Sequence, residues 1–254
     1  MLDFNEQVVI VTGSGSPKGI GRTIARQFAL QGAQVVLTDI AQAADSLEAN
    51  VKELTDAGYK AKGYTFNVTD EQEVKDFVKN VVNDFGRIDV LVNNAGISQK
   101  ATVAEMNLVD VKRIFNVNVF GLFLITKEVC EIMKNQNYGR LVHLSSVSAK
   151  RGGGIFGGAH YSASKAAVLG FSKNLAREIS EYGITTNCVC PGFINTEISK
   201  TLTQEQIDNI VVDIPMGRPG RTEEVADSIV FLASKEASYI TGEEIDINGG
   251  QHMD

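Results

Sequence analysis

The sequence predicts an α/β protein, a doubly wound parallel sheet of seven strands with helices on both faces, in one domain spanning residues 1–254. Three observations predict it. Short β-branched runs alternate with longer segments of helical period, the pattern of repeated strand–helix–strand units. The strand-like runs are apolar at consecutive positions rather than alternate ones, which fits burial on both faces. No linker, low-complexity tract or internal repeat interrupts the alternation.

The strands are expected at Gln7 to Val11, Gln34 to Thr38, Ala61 to Phe66, Val90 to Val92, Arg140 to Leu144, Thr185 to Val189 and Glu244 to Ile247. Helices are expected at Gly21 to Leu30, Ala43 to Ala57, Glu71 to Phe85, Val109 to Lys134, Tyr161 to Glu181 and Glu223 to Ala233. Thr69 or Asp70 caps the third helix and Thr222 the last, because a side-chain oxygen there can accept from the free amides of the first turn. Right-handed crossovers place the helices on both faces. Ligands of such sheets bind beyond the carboxyl ends of the strands, near the point where strand order reverses.

Composition narrows the function classes. Of the 254 residues, 43% are hydrophobic and 22% charged, as in globular proteins, which excludes disorder and fibres. A net charge of -7 argues against nucleic acid and anionic membranes as partners, since both require a basic face. The apolar stretch Val117 to Ile125 is too short to span a bilayer. Met1 to Glu6 lacks the basic and apolar regions of a signal peptide, so a cytoplasmic location is expected. Three cysteines, Cys130, Cys188 and Cys190, are too few and too irregular for a disulfide framework and read as buried free thiols. No metal site is expected, because no ligand pairs stand at suitable spacings.

The first strand runs into Thr12-Gly13-Ser14-Gly15-Ser16-Pro17-Lys18-Gly19-Ile20-Gly21 and then a helix. Glycines let the backbone turn and approach a pyrophosphate, which the helix N-terminus stabilises. Asp39, ending the second strand, can accept from ribose hydroxyls and repels a 2′-phosphate. Lys18 attracts that phosphate. One unit of like charge at about 5 Å costs roughly 3 kcal/mol, against about 0.2–1 kcal/mol from an exposed ion pair, so Asp39 prevails and NAD is the expected cofactor. Tyr161 and Lys165 stand four residues apart on one helix face. An ammonium and a nicotinamide cation beside the phenol would lower its pKa toward neutrality and make Tyr161 a general acid/base.

Here the sequence resembles the short-chain dehydrogenase/reductase family over essentially its whole length. The matching segments are the glycine turn, Asn93-Asn94-Ala95-Gly96, Asn118-Val119-Phe120-Gly121, Gly139 to Ser146, Tyr161 with Lys165, and Pro191-Gly192-Phe193-Ile194-Asn195-Thr196. The resemblance implies a Rossmann fold binding a nicotinamide dinucleotide. It implies that Tyr161 exchanges a proton with the substrate oxygen, Ser146 orients that oxygen, Lys165 binds the ribose and lowers the Tyr161 pKa, and Asn118 holds a relay water. The cofactor would lie along Gly13, Ser16, Lys18, Gly19, Ile20, Gly21, Asp39, Ile40, Asn67, Val68, Asn94, Ala95, Gly96, Pro191, Gly192, Ile194 and Thr196.

Three departures from the family pattern stand out. The glycine turn has two extra residues including Pro17, which leaves the contacts of Ser14, Gly15 and Ser16 open. The stretch Gly152 to His160 is also two residues longer than is commonest. Counting back from Tyr161 selects Ser148 as the catalytic serine, whereas strand alignment selects Ser146; Ser146 is taken, with Ser148 as a substrate contact. Asn67 stands where an Asp often meets the adenine amine, and its amide oxygen can accept the same bond. His160, next to Tyr161, is a candidate substrate contact, and His143 reads as a core residue.

The expected substrate is a small secondary alcohol or ketone, a sugar, polyol or similar hydroxylated molecule, with residues 196–215 as a lid. The alternative is a 3-oxoacyl-[acyl-carrier-protein] reductase, which in the family usually prefers NADPH and must dock an acidic carrier protein. Asp39 and the net charge of -7 oppose both. A further alternative is a non-catalytic nucleotide-sensing protein, which would not need the Asn118, Ser146, Tyr161 and Lys165 set. The resemblance implies a homotetramer packed through the two longest helices, which carry Phe115, Phe120, Phe123, Phe171 and Leu175.

Overall fold

A computed structural model describes residues 2–154, 156–197 and 202–253. The strands are β1 (Val8–Thr12), β2 (Gln34–Asp39), β3 (Ala61–Thr65), β4 (Val90–Asn93), β5 (Gly139–Leu144), β6 (Ile184–Pro191) and β7 (Glu244–Ile247). All pair in parallel in the order β3-β2-β1-β4-β5-β6-β7, so the order reverses between β1 and β4. This is the expected Rossmann arrangement.

Strand pleating divides the core in two. Val9, Val11, Val35, Leu37, Val90 and Val92 face one side, under α1 (Ile20–Leu30), α2 (Ala44–Asp56) and α9 (Thr222–Ala233). Val8, Ile10, Val36, Leu91 and Leu141 face the other, under α3 (Glu71–Phe85), α5 (Leu122–Gln136) and α7 (Ala159–Ile179). Of the seven strands only β3, at one sheet edge, has exposed positions, Lys62, Gly63 and Thr65. Cys130, Cys188 and Cys190 are buried free thiols, the latter two on one face of β6 as their spacing predicts.

The expected helix Val109 to Lys134 is divided into α4 (Leu108–Phe115), a π-helical segment Asn116–Gly121 and α5. The wide turn inserts an extra residue into the helix. Gly121 there lies against Val68, whose Cγ2 would be 2.8 Å from an added Cβ. Asp70 caps α3 by accepting from Gln72 and Glu73 amides at 2.9 and 3.0 Å. Thr222 does not cap α9. It is the first helical residue, the carboxylate of Glu224 accepts from the Arg221 N–H (2.7 Å), and the Thr222 hydroxyl meets that of Thr23 on α1 instead.

Two short helices, α6 (Val147–Arg151) and α8 (Gln204–Val211), were not expected. Ser146 caps α6, and Thr203 with Gln206 forms a capping box on α8. Among the described residues no helix is long and apolar enough to cross a membrane, and no cluster of metal-ligating side chains occurs.

Candidate active site

A cleft of about 1110 Å³ opens at the carboxyl ends of the strands, across the point where strand order reverses. Its floor is built by the turn between β1 and α1. Gly13 has φ +67°, and an added Cβ would lie 2.8 Å from the Ala95 Cα. A Cβ on Gly21 would overlap the Gly13 carbonyl and approach Asn94 Nδ2 to 2.6 Å. Both positions therefore need glycine. Asn94 donates from Nδ2 to the Thr12 and Gly13 carbonyls (2.8 Å each), and the Thr12 hydroxyl accepts from the Asn94 and Ala95 amides at 3.1 and 3.0 Å. The first and fourth strand ends are thus locked together.

Beyond Gly13 the chain is held by β2 and α2. The Ser14 hydroxyl accepts from the Thr38 amide (2.9 Å), and Asn50 Nδ2 donates to the Ser14 and Gly15 carbonyls at 2.9 and 3.1 Å. Ser14 is fully buried and stitches the turn to the sheet. Asp39, half-buried, accepts from Gly15 N at Oδ2 and Ile40 N at Oδ1, each 2.8 Å. Asp39 also lines the cleft. A dinucleotide fits this cradle: close-packed glycines, the N-terminus of an eleven-residue helix and a fixed carboxylate.

Of the expected cofactor residues, Gly13, Ser16, Gly19, Ile20, Asp39, Ile40, Asn67, Val68, Asn94, Ala95, Gly96, Pro191, Gly192, Ile194 and Thr196 line the cleft. Lys18 does not, because Pro17 and Lys18 project into solvent on the extended turn. Gly21 is also set back, serving as the contact between turn and helix. The Asn67 amide oxygen, expected to meet adenine, accepts from the Thr69 amide and hydroxyl at 3.0 and 2.9 Å. The lid expectation covers 196–215, of which 198–201 lie outside the described residues. Gln206, Asn209, Ile210 and Asp213 from it line the cleft.

Ser146, Tyr161 and Lys165 all line the cleft. Burial pushes the Tyr161 phenol above its ordinary pKa, and a hydrogen bond with Ser146 pulls it part of the way back. Lys165 is buried, donates from Nζ to the Leu144 carbonyl (2.7 Å) and lies 6.0 Å from the centre of the Tyr161 ring. Burial lowers its pKa to about 8. In the protein itself, burial therefore shifts both groups toward their neutral forms. Ser148 lines the cleft beside Ser146 and donates its amide to Ser146 Oγ (3.1 Å).

Asn118 sits in the π segment but does not line the cleft. Its Oδ1 accepts from Ile97 N (2.8 Å), and its Nδ2 donates to the Ile97 carbonyl (2.9 Å) and to Ser164 Oγ (3.0 Å). Ser164 in turn donates to the Tyr161 carbonyl (2.7 Å). The Asn118 side-chain amide is committed to fixing the backbone on both sides of the site. His160 also lies outside the cleft walls: it is buried, with Nε2 3.3 Å from Gln99 Oε1. The helical turn that aims Tyr161 inward points its neighbour elsewhere. His143 is the expected core residue, between Asn93 and Thr186 at 3.0 Å each, with burial driving its pKa down to about 3.

Sequence reading missed Asn50, Ser145, Ser164 and Gln99. Ser145 donates to the Lys165 carbonyl (2.9 Å) and lines the cleft; Asn50 likewise bonds backbone carbonyls, while Gln99 and Ser164 meet the side chains of His160 and Asn118, contacts distant in sequence that no local pattern reveals.

Comparison with known proteins agrees with this geometry. A family model described as enoyl-(acyl carrier protein) reductase matches residues 13–252. A protein of Escherichia coli (strain K12) named 3-oxoacyl-[acyl-carrier-protein] reductase is 38% identical over 99% of this chain and 100% of its own length. Its namesake from Thermotoga maritima is 41% identical over 96% of this chain and 97% of its own. Another, from Synechocystis sp., is 39% identical over the full length of both. With the parallel sheet, the glycine cradle and the Ser146, Tyr161 and Lys165 cluster, these matches show that the chain belongs to the short-chain dehydrogenase/reductase family.

Proposed function

We infer that the protein reduces the ketone of a 3-oxoacyl thioester to the 3-hydroxyacyl thioester. The observation that carries this reading is the convergence of Ser146, Tyr161 and Lys165 beside a dinucleotide cradle, in a chain aligned end to end with proteins named 3-oxoacyl-[acyl-carrier-protein] reductases. The relatives' names favour this alternative over the sugar or polyol first expected. The overall charge of -7 is no obstacle to an acidic carrier, because Lys100, Arg113 and Arg151 place cations locally along the cleft.

A bound nicotinamide dinucleotide supplies hydride to the carbonyl carbon. The Ser146 hydroxyl accepts the Ser148 amide (3.1 Å) and hydrogen-bonds the Tyr161 phenol in the free protein; with the ketone bound between them it turns its proton to the substrate oxygen. Tyr161 gives its phenolic proton to that oxygen as hydride arrives. The burial that raises its pKa keeps it protonated at neutral pH, the form reduction requires. Lys165, with one N–H on the Leu144 carbonyl, turns the others toward ribose hydroxyls. Asn118 is a positioning residue, holding the Tyr161 turn through Ser164. Residues 196–215 act as the substrate lid, and Asp39 favours NADH over NADPH. Buried free thiols support a cytoplasmic location.

Following nicotinamide absorbance, the purified protein is expected to oxidise the reduced cofactor with 3-oxoacyl thioesters and to leave the oxidised one unchanged with sugars and polyols. The opposite pattern would restore the polyol reading. A homotetramer is the proposed assembly, supported by Phe120 and Phe123, which are 54% and 45% exposed on the π segment and α5. Sedimentation should give four chains; a monomer refutes it.

A further inference from the structure

The stretch between α6 and α7 is the part of the cleft wall that the proton transfer does not use. It opens with Gly152, Gly153 and Gly154 at φ +68°, +68° and +133°, and a Cβ on the first two would meet nothing within 4 Å. Glycine is needed there for the turn of the backbone rather than for close packing. Both ends of the stretch are fixed. Before it, Arg151 donates to the Gln251 carbonyl (3.4 Å) and lies 3.9 Å from the Asp213 carboxylate. After it, the Gly158 amide donates to the Gln99 carbonyl (2.8 Å), and a Cβ on Gly157 would overlap the Tyr161 ring.

Among its described residues, this anchored strap carries one large apolar side chain into the cleft, Phe156. Its ring lies 6.4 Å from that of Phe193 and packs on the cluster of Phe193, Ile210 and Ile214. Phe193 follows β6 and Ile210 belongs to α8, and both also line the cleft. Three segments distant in sequence therefore bring an apolar wall to the side of the cleft adjoining Tyr161. A ketone held at Tyr161 and Ser146 with a hydrocarbon substituent needs such a wall, since each methylene taken out of water strengthens binding by about fourfold.

We propose that Phe156, Phe193 and Ile210 receive the hydrocarbon tail of the 3-oxoacyl chain, and that Phe156 sets the preferred tail length. This rests on the 3-oxoacyl reading above. Its test measures kcat/KM for N-acetylcysteamine thioesters from 3-oxobutanoyl to 3-oxodecanoyl. For the unmodified protein, kcat/KM is expected to rise with tail length. Phe156→Ala is expected to lower the long-to-short ratio about tenfold, chiefly through KM of the long substrates, while Phe156→Leu stays within about threefold of wild type. Nicotinamide fluorescence on NADH binding reports folding of each variant, and Ile210→Ala, on a separate segment, carries the same test should Phe156→Ala not fold. If the unmodified protein reduces no member of the series, the 3-oxoacyl reading itself fails. If it reduces all of them and the alanine variant keeps the ratio within about twofold, the tail site alone is overturned.

Discussion

Tyr161→Phe should lower kcat by about a thousandfold, within the range that a correctly placed acid contributes to proton transfer, and leave dinucleotide binding unchanged. The substitution removes one oxygen and keeps the ring against which Gly157 is packed, so the wall of the cleft is retained. The pH profile supplies a second reading. Reduction needs the phenol protonated, so its rate holds through neutral pH and falls as pH rises through the raised Tyr161 pKa. Oxidation of the hydroxy product needs the phenolate and rises over the same interval. Both limbs should vanish in the phenylalanine variant, measured by single-turnover kinetics beside a fluorescence titration with NADH. A variant that keeps more than about a tenth of the turnover would place the proton donor elsewhere.

The order of strands and helices was legible because apolar periodicity is a direct image of burial on two faces. Asp39 and the glycine turn were legible because a strand end followed by a helix start leaves few ways to seat a dinucleotide. Other features depended on contacts distant in sequence. The π segment at Asn118 ends at Gly121, where Val68, 53 positions earlier in the chain, leaves no room for a Cβ. The commitment of the Asn118 amide to Ile97 is a pairing across 21 residues. His160 was placed by its nearness to Tyr161 in sequence, but adjacent residues on a helix point about 100° apart, so a neighbour of an inward-facing side chain faces away. The Thr203–Gln206 capping box was a local signal for α8, hidden because the segment was read only as a lid.

Binding of NADH about a hundredfold tighter than NADPH is the second large effect expected, and it follows from how Asp39 is held. Its two oxygens accept the Gly15 and Ile40 amides at 2.8 Å each, so the carboxylate cannot swing away from a phosphate on the neighbouring ribose. A like charge at about 5 Å, in surroundings of effective dielectric near 20, costs roughly 3 kcal/mol, which is about a hundredfold in affinity. Lys18, the cation that would oppose this, is exposed and outside the cleft wall. Asp39→Asn removes the charge while its amide oxygen can still accept from Gly15, so the ratio should fall to within about tenfold. Titrating each protein with NADH and NADPH, by nicotinamide fluorescence, separates the cases. Tighter NADPH binding by the unmodified protein would mean that the two amides neutralise Asp39 and that a cation, with Lys18 the first to replace, governs the choice.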